Sequence, residues 1–247
     1  MKIKHYLVCL AWGALGSACQ SVSSPSEEPE GDWVSYVNPY IGNISHLLVP
    51  TFPTIQLPNS MLRVYPERAD YTSEQMAGLP LIVTNHRERS AFNLTPFQGD
   101  SLRPVVSYNY DNEHLTPYSY EVELDDNRMK AEYALSHQSA IYRITFEAGK
   151  PACIIVNSRN GAIRVGKNFI SGYQKLSGNT NVYLYMEPQE EPQEAGVVKY
   201  GLIQADNGNA GGENVCAAWR FPEGTTTVSL RYGISFISEE QAEKNKE

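Results

Sequence analysis

In the last third of the chain Val228, Leu230, Tyr232, Ile234 and Phe236 occupy every second position, with Ser229, Arg231, Gly233 and Ser235 between them. Alternation of this kind puts one set of side chains on each face of an extended strand, so the run predicts a strand with one buried and one wet face. The pattern recurs. Tyr118, Tyr120, Val122 and Leu124 alternate with Ser119, Glu121 and Glu123; Tyr142, Ile144 and Phe146 alternate with Arg143, Thr145 and Glu147. Val182, Leu184 and Met186 share one face, with Tyr183 and Tyr185 on the other. Shorter runs at Pro80 to Thr84, Met129 to Leu135 and Val197 to Gln204 add further strands. Turn chemistry separates them: Asp125-Asp126-Asn127, Ala148-Gly149-Lys150-Pro151, Arg159-Asn160-Gly161 and Pro222-Glu223-Gly224. The expectation is an all-β chain, an antiparallel β-sandwich of two packed sheets with more than ten strands.

One segment departs from this period. Ser238-Glu-Glu-Gln241 has the form of a capping box, and Ala242 to Glu247 continues with helix-forming residues. A short C-terminal helix is expected from 238. With nothing after it to pack against, it reads as a frayed tail or as the start of a helical linker (238–247).

The N-terminus reads as a targeting segment. Lys2 and Lys4 precede an apolar stretch from Tyr6 to Leu15, followed by Gly16-Ser17-Ala18-Cys19. Residues 1–18 are read as a signal peptide and Cys19 as the lipidation site of an exported bacterial lipoprotein. The protein is expected at the outer membrane, on its periplasmic or cell-surface side. The apolar stretch is about 10 residues, too short to cross a bilayer. Ser21 to Glu30 has no aromatic residue and completes a flexible stalk over 19–32. The β-sandwich domain is placed at 33–237. Without Lys2 and Lys4 the 20 basic residues become 18, against 28 acidic ones, a net charge of −10. Such a balance argues against nucleic acid as a partner and suits neutral carbohydrate. Cys153 and Cys216 both sit in apolar strand-like contexts and read as two separately buried thiols, with a disulfide as the alternative.

Catalytic signatures are missing: there is no Gly-x-Ser-x-Gly elbow, no phosphate-cradling glycine loop and no His-Glu-x-x-His. Asp206 to Glu213 lacks the ligand spacing of a calcium loop and reads as a polar loop. Glycoside hydrolysis would need two positioned carboxyl groups of different pKa, but Glu121 and Glu123 lie on a wet strand face and Asp125-Asp126 in a turn. No catalytic residue and no metal ligand is therefore assigned. The densest polar clusters are Thr84-Asn-His-Arg-Glu-Arg89 and Tyr65-Pro-Glu-Arg-Ala-Asp-Tyr71. From them Arg68, Asp70, Tyr71, His86 and Arg87 are the candidate carbohydrate-binding residues, offering ring faces and bidentate donors to vicinal hydroxyls.

Two stretches also carry a resemblance. The first is Val37-Asn38-Pro39-Tyr40-Ile41-Gly42 with Thr51-Phe52-Pro53, Pro58, Met61 and Pro66. The second runs Pro117-Tyr-Ser-Tyr-Glu-Val-Glu-Leu-Asp-Asp126, Lys130-Ala-Glu and Ser139-Ala-Ile-Tyr-Arg-Ile-Thr-Phe146. Together they resemble the N-terminal β-sandwich domain of family 92 glycoside hydrolases, calcium-dependent exo-acting α-mannosidases. The resemblance implies that calcium and both catalytic carboxylates come from an (α/α)6 barrel beyond Glu247, with no cofactor in this chain. It implies a non-catalytic, carbohydrate-associated domain of an α-mannosidase-like lipoprotein in glycan degradation, inactive by itself, with mannose-containing glycan and a helical catalytic domain as partners. Pro50, Thr54, Asn59-Ser60 and Gly78-Leu79-Pro80 depart from the family pattern in loops that face the sugar, so no catalytic residue is carried over. Two other readings stay open: a stand-alone carbohydrate-binding surface lipoprotein, and a structural partner of a separately encoded helical subunit.

Overall fold

A computed structural model describes residues 31–43, 47, 51–68, 73–84, 90–103, 105–124 and 129–247. After a 3-10 turn at Trp33–Tyr36, the described chain forms strands β1 (Gln75–Ala77), β2 (Leu79–Pro80), β3 (Phe92–Gln98), β4 (Ser107–Leu115), β5 (Ser119–Leu124), β6 (Met129–Leu135) and β7 (Ser139–Thr145). It continues with β8 (Ala152–Val165), β9 (Ile170–Lys175), β10 (Asn181–Pro188), β11 (Glu194–Lys199), β12 (Leu202–Gln204), β13 (Asn209–Arg220), β14 (Thr227–Ser235) and helix α1 (Glu239–Asn245). Every pairing is antiparallel, and the all-β sandwich expected from the alternation is what forms.

The strand order is β1-β4-β5-β6-β7-β14-β10-β9-β8-β13-β11-β12, with β3 joining β8 and β2 joining β3. The long strand β8 links the layers. Its first half pairs β3 from Phe92↔Ser158 to Gln98↔Ala152, and its second half pairs β9 from Gly161↔Gln174 to Val165↔Ile170. Sequence places a turn at Arg159-Asn160-Gly161, but β8 runs straight through it. The glycine has another purpose: a Cβ there would lie 1.9 Å from the Tyr173 carbonyl, so its absence admits the neighbouring strand. Likewise Asn209 to Glu213, expected in a loop, is the start of β13 and pairs β8. Val197 to Gln204, expected as one strand, is a hairpin turned by Tyr200 and Gly201, both at positive φ. Of the run Pro80 to Thr84 only Pro80 lies in a strand.

The period-two faces largely fall where the pattern puts them. The exceptions end the last run: Phe236, expected on the buried face, is 38% exposed, and Ser229, Gly233 and Ser235 of β14, expected on the wet face, are buried. Val182, Leu184 and Met186 of β10, and Val228, Leu230, Tyr232 and Ile234 of β14, are buried in one core. The run Ala152 to Ser158 is buried on both faces. Ala152, Ile154 and Val156 join the main core, while Cys153 and Ile155 enter a second cluster with Leu102, Ile203, Cys216 and Ala218. That is why this strand reads as continuously apolar. Both thiols are free. Cys153 faces Arg220 and Cys216 faces Asn157, four residues away along β8. That is roughly 13 Å at strand rise, about twice a disulfide's reach.

Buried tyrosine hydroxyls tie the layers together. Tyr142 donates to the Pro80 carbonyl at 2.6 Å, and Tyr232 to the Leu81 carbonyl at 2.8 Å. Tyr133 and Tyr232 share a hydrogen bond at 3.1 Å, and Tyr108 donates to the Pro96 carbonyl. The proline-punctuated entry segment closes one end of the core. Phe52 stacks on Tyr65 at 4.8 Å, Ile55 bridges Val64, and Leu62 is fully buried.

Helix α1 corrects the expectation of an unsupported tail. Ser238 caps it, its hydroxyl accepting from the Gln241 amide at 3.2 Å. Gln241 itself bonds Asn245 instead of reaching back, so half of the capping box forms. Ala242 is fully buried, because Gly233 of β14 lacks the Cβ that would meet the Ala242 carbonyl at 2.2 Å. Glu239 takes hydrogen bonds from Arg164 and Ser171, Lys246 pairs Glu187, and the Asn245 amide donates to the Ile234 carbonyl at 2.7 Å.

Gly233→Val should lift α1 from the sheet, lowering stability by about 2–3 kcal/mol through overpacking. Amide exchange over Glu239–Asn245 should accelerate while β7 and β14 keep their protection. Burial pushes the Cys153 and Cys216 thiols up to about 11. Both should therefore resist iodoacetamide at pH 8 in the folded chain and react once urea unfolds it, read peptide by peptide in a mass spectrometer.

Candidate functional site

The sequence Pro66-Glu67-Arg68 is laid antiparallel along β1: Arg68 bridges Met76, and the Ala77 amide donates to the Glu67 carbonyl at 2.8 Å. This places two charged side chains at the wall of a cleft of about 420 Å³. Gln75, Asn157, Arg159 and Asn214 complete much of its polar lining. Arg159 and Asn214 face each other across β8 and β13. There the register passes from Glu213↔Asn160 to Val215↔Ser158, and Asn214 takes a φ of 51°. The ladder skips this one pair without a shift of register, and both side chains line the cleft.

Glu67 is only 8% exposed. A carboxylate so buried needs a counter-charge, and Arg159 provides it at 2.6 Å. The Asn93 amide lies 3.5 Å from the other Glu67 oxygen and donates to the Ala77 carbonyl at 2.8 Å. Thr95 fixes Asn93 in turn by donating to its side-chain oxygen at 3.2 Å. Gly78, at φ 67°, is required here because the Asn93 side chain occupies the space of a Cβ.

Arg68 is as constrained. Its guanidinium pairs Glu113 and lies 4.6 Å over the Tyr110 ring. Tyr120 donates to the same Glu113 carboxylate at 3.1 Å. Burial raises the Glu113 pKa, while the Arg68 charge and the Tyr120 hydroxyl pull it back. The turn at Asn38-Pro39 reaches this region: the Asn38 side chain accepts from the Tyr40 amide at 2.9 Å, and the Tyr40 hydroxyl points at the Glu113 carbonyl at 3.4 Å. Burial and Glu113 push the Tyr40 phenol up to about 12, so it stays a donor. The result is a wall of fixed donors and acceptors beside apolar Met76 and Val105, an arrangement that can hydrogen-bond a polyhydroxylated ligand. Both carboxylates are committed to guanidinium groups.

Of the residues singled out from sequence, Arg68 lines the cleft. Asp70, Tyr71, His86, Arg87 and Cys19 lie outside the described residues. Glu113 and Arg159 were missed, and Glu67, though inside the Tyr65–Tyr71 cluster, was not among the residues chosen from it. Arg159 was hidden by the Asn-Gly pair read as a turn, and Glu113 by its place in a polar hairpin. The signal that pointed to Glu67 is its place beside Arg68 in that polar cluster. Glu121, read as a wet-face residue, is paired with Lys130 at 2.8 Å and half exposed.

A profile of the glycosyl hydrolase family 92 N-terminal domain matches residues 36–235. The chain belongs to this family. No curated protein sequence matches significantly. Among solved structures, the family 92 inverting mannosidase BT2199 of Bacteroides thetaiotaomicron VPI-5482 is similar at 22% identity and a TM-score of 0.72. The match covers 86% of this chain and 32% of that one. The family 92 α-mannosidase BT3965 of Bacteroides thetaiotaomicron is similar at 21% identity and a TM-score of 0.74, covering 86% and 34% respectively. The chain thus spans about one third of the length of these family 92 structures, and at such identities they show the shared fold.

Arg159→Met should leave Glu67 buried without its cation. A fully buried pair broken in this way costs about 3–5 kcal/mol. Arg159 is 30% exposed, so solvent screening reduces the expected loss to about 2 kcal/mol. Adding Glu67→Gln should recover most of it in a urea double-mutant cycle; additive losses would show that the pair is not coupled.

Proposed function

We propose that this chain is the non-catalytic, carbohydrate-associated N-terminal domain of an α-mannosidase-type, family 92 glycoside hydrolase-like lipoprotein acting in glycan degradation. Family membership supports the reading, and the observation that carries it is the pairing of two carboxylates, Glu67 in the cleft and Glu113 behind the cleft residue Arg68. Glu67 is neutralised by Arg159, and Glu113 by Arg68. Neither is poised as the free acid or base that glycoside hydrolysis needs. The cleft binds by hydrogen bonds, and the chemistry, with its calcium, belongs to residues outside these 247. Mannose-containing or other neutral glycans are the ligands, and acylation at Cys19 tethers the domain to the outer membrane.

The full chain, purified and incubated with an aryl α-mannoside and calcium, should show no turnover; turnover abolished by Glu113→Gln would sink the non-catalytic reading. On a glycan array it should retain mannose-containing glycans, and Arg159→Ala should weaken them about tenfold. A stand-alone binding role is the second reading, favoured by a cleft whose named walls all come from the sandwich. Retention of glycans by this chain at micromolar concentration supports it; an empty array counts against both.

A further inference from the structure

Arg63 differs from every other described arginine of the sandwich except the exposed Arg103. Arg68, Arg143, Arg159, Arg164, Arg220 and Arg231 each contact a carboxylate. Arg63 contacts none among the described residues. Its Nε and Nη2 are buried and have no hydrogen-bond partner there. A desolvated guanidinium with orphan donors costs several kcal/mol unless an anion arrives to meet it.

The surroundings show where such an anion would come from. Arg63 lines a pocket of about 180 Å³ with Gln56, Met61, Ile82, Thr84 and Phe236. Met61 and Phe236 are 37% and 38% exposed, and Ile237, next in the chain, is 78% exposed. The rims are anchored. The Met61 amide donates to the His137 carbonyl at 2.9 Å, the Arg63 carbonyl accepts from the Val83 amide at 2.8 Å, and the Ile237 amide donates to the Ser235 hydroxyl at 3.0 Å. Phe236 and Ile237 lead directly into the cap of α1. A half-buried guanidinium with two buried donors, flanked by the half-exposed apolar side chains of Met61 and Phe236, has the composition of a protein interface core, with arginine at its centre. An acidic sugar would need more hydroxyl partners than Gln56 and Thr84 offer.

We infer that the Met61–Arg63–Phe236 pocket is a docking site for a polypeptide partner that inserts an Asp or Glu carboxylate onto Arg63, flanked by an apolar side chain on Met61 and Phe236. The carboxylate accepts from Nε and Nη2 as a charge-assisted fork, and the apolar flank excludes water from it. This site is separate from the glycan cleft and stands whether or not that cleft binds sugar.

The test follows the Arg63 Nε–H resonance of the full chain, labelled with nitrogen-15 at arginine, during titration with N-acetyl-Glu-Phe-amide. A saturable shift is expected, about tenfold weaker with N-acetyl-Gln-Phe-amide and absent in Arg63→Met. Arg63→Lys, which keeps charge without the fork, should bind less tightly than wild type. No shift, or equal shifts with the Glu and Gln peptides, overturns the proposal. So does tighter competition by glucuronate, which would make this an acidic-sugar site, or self-association abolished by Arg63→Met, which would make the occupant a second copy. Thermal unfolding adds an independent check. Arg63→Met should leave the isolated chain as stable as wild type or more so, because no internal partner is lost. A marked drop in its melting temperature would show that Arg63 is already paired within the chain.

Discussion

The fold depends on polar groups that tyrosine carries into the core. Tyr133, Tyr142 and Tyr232 lie together in the main core, with Tyr133 and Tyr142 ring centroids 4.6 Å apart. Apolar side chains alone would let one layer slide on the other at little cost, since hydrophobic burial has no direction. A hydroxyl does have direction, and leaving it unpaired in the interior costs about 1–3 kcal/mol. The hydroxyls of Tyr142 and Tyr232 are satisfied by the Pro80 and Leu81 carbonyls of the opposite layer. Those carbonyls lie in and just after the two-residue strand β2, a segment too short to hold its register by ladder bonds alone. The tyrosines hold it from the other side. Burial raises all three phenols, so these donors stay protonated across any physiological pH.

A second constraint is the close approach of backbones. At Gly161, Gly172 and Gly196 a Cβ would fall about 2 Å from a neighbouring carbonyl oxygen, so these strands meet where no side chain separates them. Gly233 applies the same device between a sheet and a helix. With a side chain there, α1 would stand off the sheet and Ala242 would lose its burial. The seven-residue helix is too short to persist by propensity. Its order comes from that glycine and from the Glu239 and Lys246 ion pairs.

Much of the fold was legible because period-two alternation reports burial directly. β6 matches its expected limits residue for residue, and the buried sets of β5, β7 and β10 are the alternating ones, while β14 is buried on both faces. What misled was glycine. Asn160-Gly161 and the stretch around Gly211-Gly212 carry turn composition, yet both lie within long paired strands. Composition cannot tell a glycine that bends the chain from one that lets another chain approach. The site was legible in part, through Arg68. Glu67, Glu113 and Arg159 come together from an entry segment, a hairpin and the middle of β8. Nothing in their spacing of 92 residues between Glu67 and Arg159 announces a contact.

The charges of the sandwich divide into two kinds, and the division bears on what each region can do. In the cleft every described guanidinium is matched by a carboxylate, so the walls are rigid and nearly neutral in sum. Such a surface recognises hydroxyls by geometry and has little long-range pull on charged ligands. At Arg63 the opposite holds: a half-buried cation beside Met61 and Phe236 has two buried donors unanswered among the described residues. In a chain of net charge −8, that cation is locally opposed to the field of the whole molecule. An incoming acid must overcome general repulsion and gains only at that point, which makes the contact selective for position more than for charge. The carboxylate-paired cations of the cleft and the Arg63 cation, unpaired among the described residues, therefore suit different partners, and one sandwich can carry both.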